Sequence, residues 1–369
     1  MRIYVGAVRS TEMYSQGSEL DGLVLGLHHI TLVTSNEEVN RRFYTEVLGL
    51  RRVKLTVNQD DIFHRHLFYA NENAETGSAI TFFEWPDLAR GSAGLTSPHH
   101  LSYAVESSDA LPKWRSWLLS HGVSTVGPIA RDDRISLYLR DPDGVVVEIT
   151  KPNEEKLTQD YTDELNRETA APTELSSDMR LTSFDHASPV TLNSEVTIRF
   201  LGKALGLKNS FKRSNPDQRN VQIVGIGNDE RPDFLRYLAS TKAPLGEVGT
   251  GSVHHIAMAV ADDNAQQTIL RQLNALRIPN SGVIDRFWFK SLYFRDPDEN
   301  LLEIATKDPG YSADEPRENL GSHLVLAPWL EPKRNEIEGA LVELDARNAH
   351  TWPPVYSATP SPPETLSTQ

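Results

Sequence analysis

No cysteine occurs in the 369 residues, which excludes disulfides, thiolate ligands and cysteine nucleophiles and leaves His, Asp and Glu as the strong metal ligands available. No apolar run approaches the roughly 20 residues that a membrane helix needs. The composition, 38% hydrophobic and 24% charged with a mean hydropathy of -0.43, is that of a globular protein. Positive charge is in deficit, with 37 Lys and Arg against 51 Asp and Glu and a formal charge of -14. Such a field repels phosphate backbones, so no nucleic acid is expected as a partner, and no membrane either. The opening stretch, Met1 to Gly22, has no basic segment followed by an apolar run and a small-residue cleavage site, so the expected location is the cytoplasm. Neither a GxSxG elbow nor a Gly-rich phosphate loop is present, which leaves nucleophilic triads and nucleotide binding without support.

What is there is a repeat. One phrase appears four times: LHHITLV from Leu27, PHHLSYAV from Pro98, FDHASPV from Phe184 and VHHIAMAV from Val253. Each is apolar, contains His and reads as a strand, and alternation along a strand predicts that adjacent His residues face opposite sides. A helical stretch follows each phrase, over Glu37 to Leu48, Leu111 to His121, Glu195 to Leu205 and Asn264 to Leu276. Gly49, Gly122 and Gly206 suit the left-handed position that ends three of these helices. Strand-rich segments come next. The pattern is βαβββ four times over, which predicts an α+β fold of four βαβββ modules forming two open, U-shaped, β-barrel-like sheets with helices outside.

Length alone suggests about two domains, and the repeat divides the chain accordingly: one pair of modules over 25–150, a polar and acidic linker over 151–180, and a second pair over 181–340. The tail, 353–369, is rich in Pro, Ser and Thr and is expected to be disordered.

Modules two and four are nearly superimposable by spacing. His100 and Glu148 are 48 residues apart, as are His255 and Glu303. Between them, SLYLRDPDG from Ser136 mirrors SLYFRDPDE from Ser291, and Arg131 and Arg286 lie equally far before the Glu. The DPD segments are tight turns, each feeding a last strand that carries the Glu. Two imidazoles and a carboxylate on one face of a metal leave positions open for substrate, the donor set of non-haem Fe(II) oxygen chemistry. A carboxylate on a buried strand is costly unless it is paired or metal-bound.

These residues resemble the vicinal oxygen chelate superfamily and, within it, the hydroquinone ring-cleaving dioxygenases. The resemblance spans about residues 25 to 340. Its marks include GLHHITLVT at Gly26, FYTEVLGLRRVKLTVNQDD at Phe43, ITFFEWP at Ile80, VHHIAMAV at Val253, VIDRFWFKSLYFRDPDENLLEIAT at Val283 and LAPWLEP at Leu326. It implies a metal held by His29, His255 and Glu303, with His28, Thr31, His254, Arg286 and Tyr293 around the substrate. The implied cofactor is Fe(II), with Mn(II) as the alternative, and the implied partners are a small aromatic diphenol and O2, with a homo-oligomer as the assembly considered. The reaction it implies is oxygen insertion that opens the ring beside a hydroxyl-bearing carbon. An imidazole, His28 or His254, would move the phenol proton, Arg286 would neutralise developing negative charge, and Tyr293 would hydrogen-bond the reacting oxygen or Glu303. Trp288 and Phe289 are candidates for an aromatic wall, one of them as core.

The chain also departs from the family. Its second phrase carries His99 and His100, so internal symmetry raises a second set, His100, Glu148 and His186, against the plain reading of a core His and a Glu paired with Arg131 or Arg140. His64, Arg65 and His66 are weaker candidates for substrate contact. Two other functions use the same scaffold. A glyoxalase-like lyase or isomerase normally keeps two site carboxylates, whereas module one has Thr81 at the register position of the Glu, with Glu84 three residues on. A metal-free protein that sequesters a small aromatic compound is the other.

Overall fold

The computed structural model describes residues 19–131, 133–152, 163, 165, 167, 169–348, 350, 352–354 and 365–366. The four modules follow one another as expected. Module one is β1 (Val24–Thr34), α1 (Glu37–Arg42, running on as π-helix over Phe43–Val47), β2 (Arg51–Asn58), β3 (Asp61–Ala70) and β4 (Ala79–Glu84). Module two is β5 (His100–Ala104), α2 (Ala110–Ser120), β6 (Thr125–Ala130), β7 (Arg134–Arg140) and β8 (Val146–Pro152). Module three is β9 (Phe184–Ser188) with the short β10 (Val190–Thr191), α3 (Ser194–Leu205), β11 (Lys208–Ser214), β12 (Gln222–Gly227) and β13 (Leu235–Ala239). Module four is β14 (Val253–Val260), α4 (Asp263–Ala275), β15 (Asn280–Asp285), β16 (Lys290–Arg295) and β17 (Leu301–Thr306), after which comes α5 (Arg334–Arg347).

Local chemistry sets the helix ends. Asn36, Asn193 and Asp262 cap α1, α3 and α4 by accepting backbone N–H bonds of the first turn. Gly49, Gly122 and Gly206 take positive φ of 70°, 78° and 72° at the far ends, where a Cβ would be strained. Module four has Arg277 there, at φ 57°.

The sheets do not follow the order of the modules. Modules four and one make one sheet, in the order β15-β16-β17-β14-β1-β4-β3-β2; modules three and two make the other, β11-β12-β13-β9-β5-β8-β7-β6, with β10 on β13. Each sheet is therefore a near-mirror of two modules about a central antiparallel seam, β14 with β1 and β9 with β5, and each draws one module from either side of the 151–180 segment. The chain crosses between sheets after module one and returns after module three. These two crossings touch through the bridges Arg90 to Thr250, Ser92 to Glu247 and Leu95 to Leu245. Glycine makes that approach possible: a Cβ on Gly249 would lie 2.3 Å from the Ala89 carbonyl and one on Gly94 2.5 Å from that of Pro244.

The two Asp-Pro-Asp turns latch the sheets together. Asp143 accepts from the hydroxyls of Thr34 (2.6 Å) and Ser35 (2.7 Å), tying module two to module one. Asp298 accepts from the hydroxyl of Thr191, at 2.5 Å, and the amide of Leu192, at 3.1 Å, tying module four to module three. At the start of each turn Asp141 and Asp296 accept from Tyr44 and Tyr237 at 3.0 and 2.9 Å. Helix α5 lays Ile337, Leu341 and Leu344 against Val57, Leu326 and Leu330 beside module one, and Asp345 pairs with Arg65 at 2.7 Å.

Within 151–180, Leu165 and Met179 are buried and Ser177–Met179 forms one 3-10 turn, while 153–162 lies outside the described residues. The same holds for most of the 353–369 tail, yet Thr365 and Leu366 are seated. Leu366 exchanges two hydrogen bonds with the Gln218 side chain, and its own side chain joins Val190, Val221, Ile223 and Leu238.

Candidate metal centre

Both seams carry paired histidines, and the expectation that adjacent imidazoles face opposite sides fails there. The register of β1 against β14 slips between Leu27 and His29 and again between Thr31 and Leu32, so His28 and His254 each stand as an extra residue in a β-bulge. A bulge re-aims side chains that pleating would separate. His28 Nδ1 accordingly lies 2.8 Å from His29 Nδ1, and His254 Nδ1 2.8 Å from His255 Nδ1.

His29 and His255 project from the two seam strands toward Glu303 of β17. Glu303 Oε2 lies 3.3 Å from His29 Nε2 and 3.0 Å from His255 Nε2. The small Ala257, paired with Glu303 across the ladder, leaves room for this convergence. The other carboxylate oxygen accepts from Ser291 Oγ at 2.5 Å, while Oε2 is buried with no hydrogen-bond donor. A buried charged oxygen without a donor is costly, and facing two imidazole nitrogens it is the expected state of a metal ligand set. Burial alone would raise the Glu303 carboxyl, but His29 and His255 alongside hold it well below the ordinary range. Burial lowers His255, keeping its imidazole neutral as a ligand must be.

The neighbouring histidines select the tautomer. His28 donates to the Thr306 carbonyl, which commits its Nε2 proton, so its Nδ1 accepts from His29 and the His29 Nε2 lone pair faces the centre. His254 Nδ1 meets His255 Nδ1 in the same way, and the His254 side chain lines a cavity. Burial, then the adjacent His29 or His255, lowers both His28 and His254 to about 3.

That cavity, about 420 Å³, opens directly on His29 and His255. Phe83, Trp85, Trp288 and Phe289 supply aromatic wall, and Arg286, Tyr293 and His254 supply polar groups. Trp288 and Phe289 both line it, where strand alternation had suggested that one would be core. Arg286 pairs with Asp60 at 2.7 Å and stacks its guanidinium 5.6 Å from the Tyr293 ring centre.

Thr31 and His28 sit behind this lining. Thr31 Oγ1 meets Thr81 Oγ1 at 2.7 Å, and Thr81 meets His66 Nε2 at 2.9 Å. Of the weaker candidates, His66 does line the cavity; burial keeps it well below its ordinary pKa. Its signal in the sequence is register: His66 pairs with Phe83 as Ser291 pairs with Ala305, so it stands beside Thr81 where Ser291 stands beside Glu303. Glu84, in contrast, is held by Arg65 at 2.8 Å and the Glu37 amide at 3.0 Å. No second carboxylate therefore takes the place opposite Glu303, contrary to the needs of a glyoxalase-like site.

Comparison with known proteins agrees with this architecture. The Glyoxalase/Bleomycin resistance protein/Dioxygenase superfamily model matches residues 26–149. The chain is 32% identical over 321 residues, 86% of its length and 98% of the relative's, to MhqA of Bacillus subtilis (strain 168), which is named as a ring-cleaving dioxygenase. The chain belongs to the ring-cleaving dioxygenases of this superfamily. It is also 29% identical, over 86% of its length and 96% of the relative's, to the chlorohydroquinone/hydroquinone 1,2-dioxygenase of Sphingobium indicum. A crystal structure described as a dioxygenase from Bacillus subtilis subsp. subtilis str. 168 superposes with a TM-score of 0.73 at 30% identity, covering 86% of this chain and 96% of that one.

In this dioxygenase the second sheet repeats the donor set. Glu148 Oε2 lies 3.4 Å from His100 Nε2 and 3.2 Å from His186 Nε2. Arg131 pairs with Asp217 at 2.6 Å and Arg140 donates to the Gly144 carbonyl at 2.7 Å. No described helix is long and apolar enough to cross a membrane.

Proposed function

We propose that His29, His255 and Glu303 bind Fe(II), with Mn(II) as the alternative, and that the cavity beside them takes a hydroquinone or substituted catechol whose ring is opened by O2. The observation that carries this reading is the donor-free Glu303 oxygen facing two imidazoles at the floor of an aromatic-walled cavity. When bound, such a metal supplies coordination of a phenolate oxygen and electronic coupling of the ring to O2.

The remaining work falls to side chains. Phe83, Trp85 and Phe289 hold an aromatic ring and exclude water, and a flat diphenol fits a cavity of about 420 Å³. His254 is the imidazole placed to exchange a proton with a ring hydroxyl, because it lines the cavity, whereas His28 does not and hydrogen-bonds the Thr306 backbone. Arg286 provides a fixed cation for negative charge developing on oxygen. Tyr293 keeps its proton, since burial and then Glu303 raise its pKa, and it serves as a hydrogen-bond donor. The ligands come from modules one and four, so neither 25–150 nor 181–340 alone forms the site.

Anaerobically loaded protein, given hydroquinone and then air, is expected to consume O2 and yield a ring-opened acid. Retained metal with no O2 uptake on any para- or ortho-diphenol would overturn the reading. Loading Fe(II) and Mn(II) separately decides between the metals.

A further inference from the structure

His100, Glu148 and His186 sit at the seam of the second sheet in the register that His255, Glu303 and His29 hold at the first. His186 faces Ser102 across β5, and Ser102 is paired with Glu148 on β8. The three ligand atoms lie within 4.8 Å of one another and all three side chains are buried. Glu148 Oε2 and His186 Nε2 are buried and face each other at 3.2 Å.

The surroundings are built as for a metal. His99 hydrogen-bonds the Thr365 carbonyl at 3.2 Å, which leaves its Nδ1 to accept from His100 Nδ1 at 2.9 Å, so the His100 Nε2 lone pair faces the cluster. His186 Nδ1 donates to Asp185 at 2.7 Å, a carboxylate that orients the ring in the same sense. Ser136 donates to the other oxygen of Glu148, and the Ser188 hydroxyl lies 3.2 Å from His100 Nε2. Arg134, 2.8 Å from His186 Nδ1, is neutralised by Asp185 and Asp233.

We infer that His100, Glu148 and His186 hold a second divalent transition-metal ion, closed off from substrate and clamping modules two and three across their seam. Closure follows from what replaces the first cavity. Arg236 stands at the ladder position of Thr81 and pairs with Asp133 and Asp233, Arg134 lies against His186, and the Thr365–Leu366 segment covers His99. Two imidazoles and a carboxylate supply three donors, so the remaining position falls to a small ligand such as water rather than to an aromatic substrate.

The test is metal stoichiometry by mass spectrometry after anaerobic loading with Fe(II) or Mn(II) and desalting. Two equivalents per chain are expected for the native protein, one for His255→Ala/Glu303→Gln and one for Glu148→Gln. In the native protein a chelator should strip one equivalent rapidly and the other slowly, and loading His255→Ala/Glu303→Gln should raise its Tm. One equivalent in the native protein, falling to none in His255→Ala/Glu303→Gln, would overturn the inference, and that comparison decides it even where Glu148→Gln does not fold.

Discussion

The two seams carry the same donor residues on matching strands, yet one opens on a cavity and the other is sealed. At the first, Thr81 and Phe289 leave space above the imidazoles. At the second, the equivalent ladder positions hold Arg236 and Arg134, whose guanidinium groups fill that space with Asp133, Asp185 and Asp233. A buried guanidinium needs carboxylates around it, and Asp133, Asp185 and Asp233 supply them beside the second donor set. On the proposed reading, duplicated donors do not suffice for duplicated chemistry, because the residues over them differ between the two seams.

The largest effect should come from the ligands. His255→Ala is expected to lower O2 uptake with hydroquinone by about a thousandfold or more, since several kcal/mol of metal-derived stabilisation disappear. Folded Glu148→Gln should keep kcat within a few fold. Equal losses in the two variants would erase the distinction between the seams.

His254→Asn comes next. It removes the cavity-lining imidazole and the partner of His255, so metal affinity should weaken and, at saturating metal, kcat should fall by about 100-fold or more. An unaltered kcat would return the proton-transfer role to another residue, with His66 the nearest candidate on the cavity wall.

The turns offer a pH comparison. Burial, then Asp143, raises Asp141 to about 7, and burial raises Asp296 to about 6. A carboxyl raised in the fold contributes stability that is complete below its unfolded value, about 3.9, and is lost as pH rises through the folded value. The contribution of Asp141 should therefore fade toward pH 7 and that of Asp296 toward pH 6. In Tm measured across the range, Asp141→Asn should flatten the profile more, and at higher pH, than Asp296→Asn; identical profiles would show that the two latches do not titrate separately.

The smallest effect concerns the helix ends. Three modules place Gly where the chain turns left-handed, and module four places Arg277 at φ 57°. Arg277→Gly should stabilise the protein by about 1 kcal/mol in urea unfolding, whereas Gly206→Ala, at φ 72°, should destabilise it. A stabilising Gly206→Ala would mean that φ does not govern this position.

The linear chain already determined a good deal. Four strand phrases, three terminal glycines and the His-to-Glu spacing of 48 are local or periodic signals, and they announced the βαβββ repeat and the pairs His100–Glu148 and His255–Glu303, while the family resemblance implied His29 and internal symmetry added His186. Even Thr81 at the position of the missing carboxylate was legible from register, and the ladder places it opposite Thr31 as Glu303 lies opposite Ala257.

Tertiary structure decided the rest. Which modules share a sheet depends on long-range pairing of β1 with β14 and β9 with β5, and no local pattern encodes it. The bulges that turn both imidazoles of a pair to one side arise from register slips between strands far apart in sequence, so alternation read along one strand could not foresee them. Whether a His, His and Glu set meets a cavity or an arginine depends on side chains from β4, β7 and β13 meeting in space. Ligand identity is local in the chain, but access to the ligands is a property of packing.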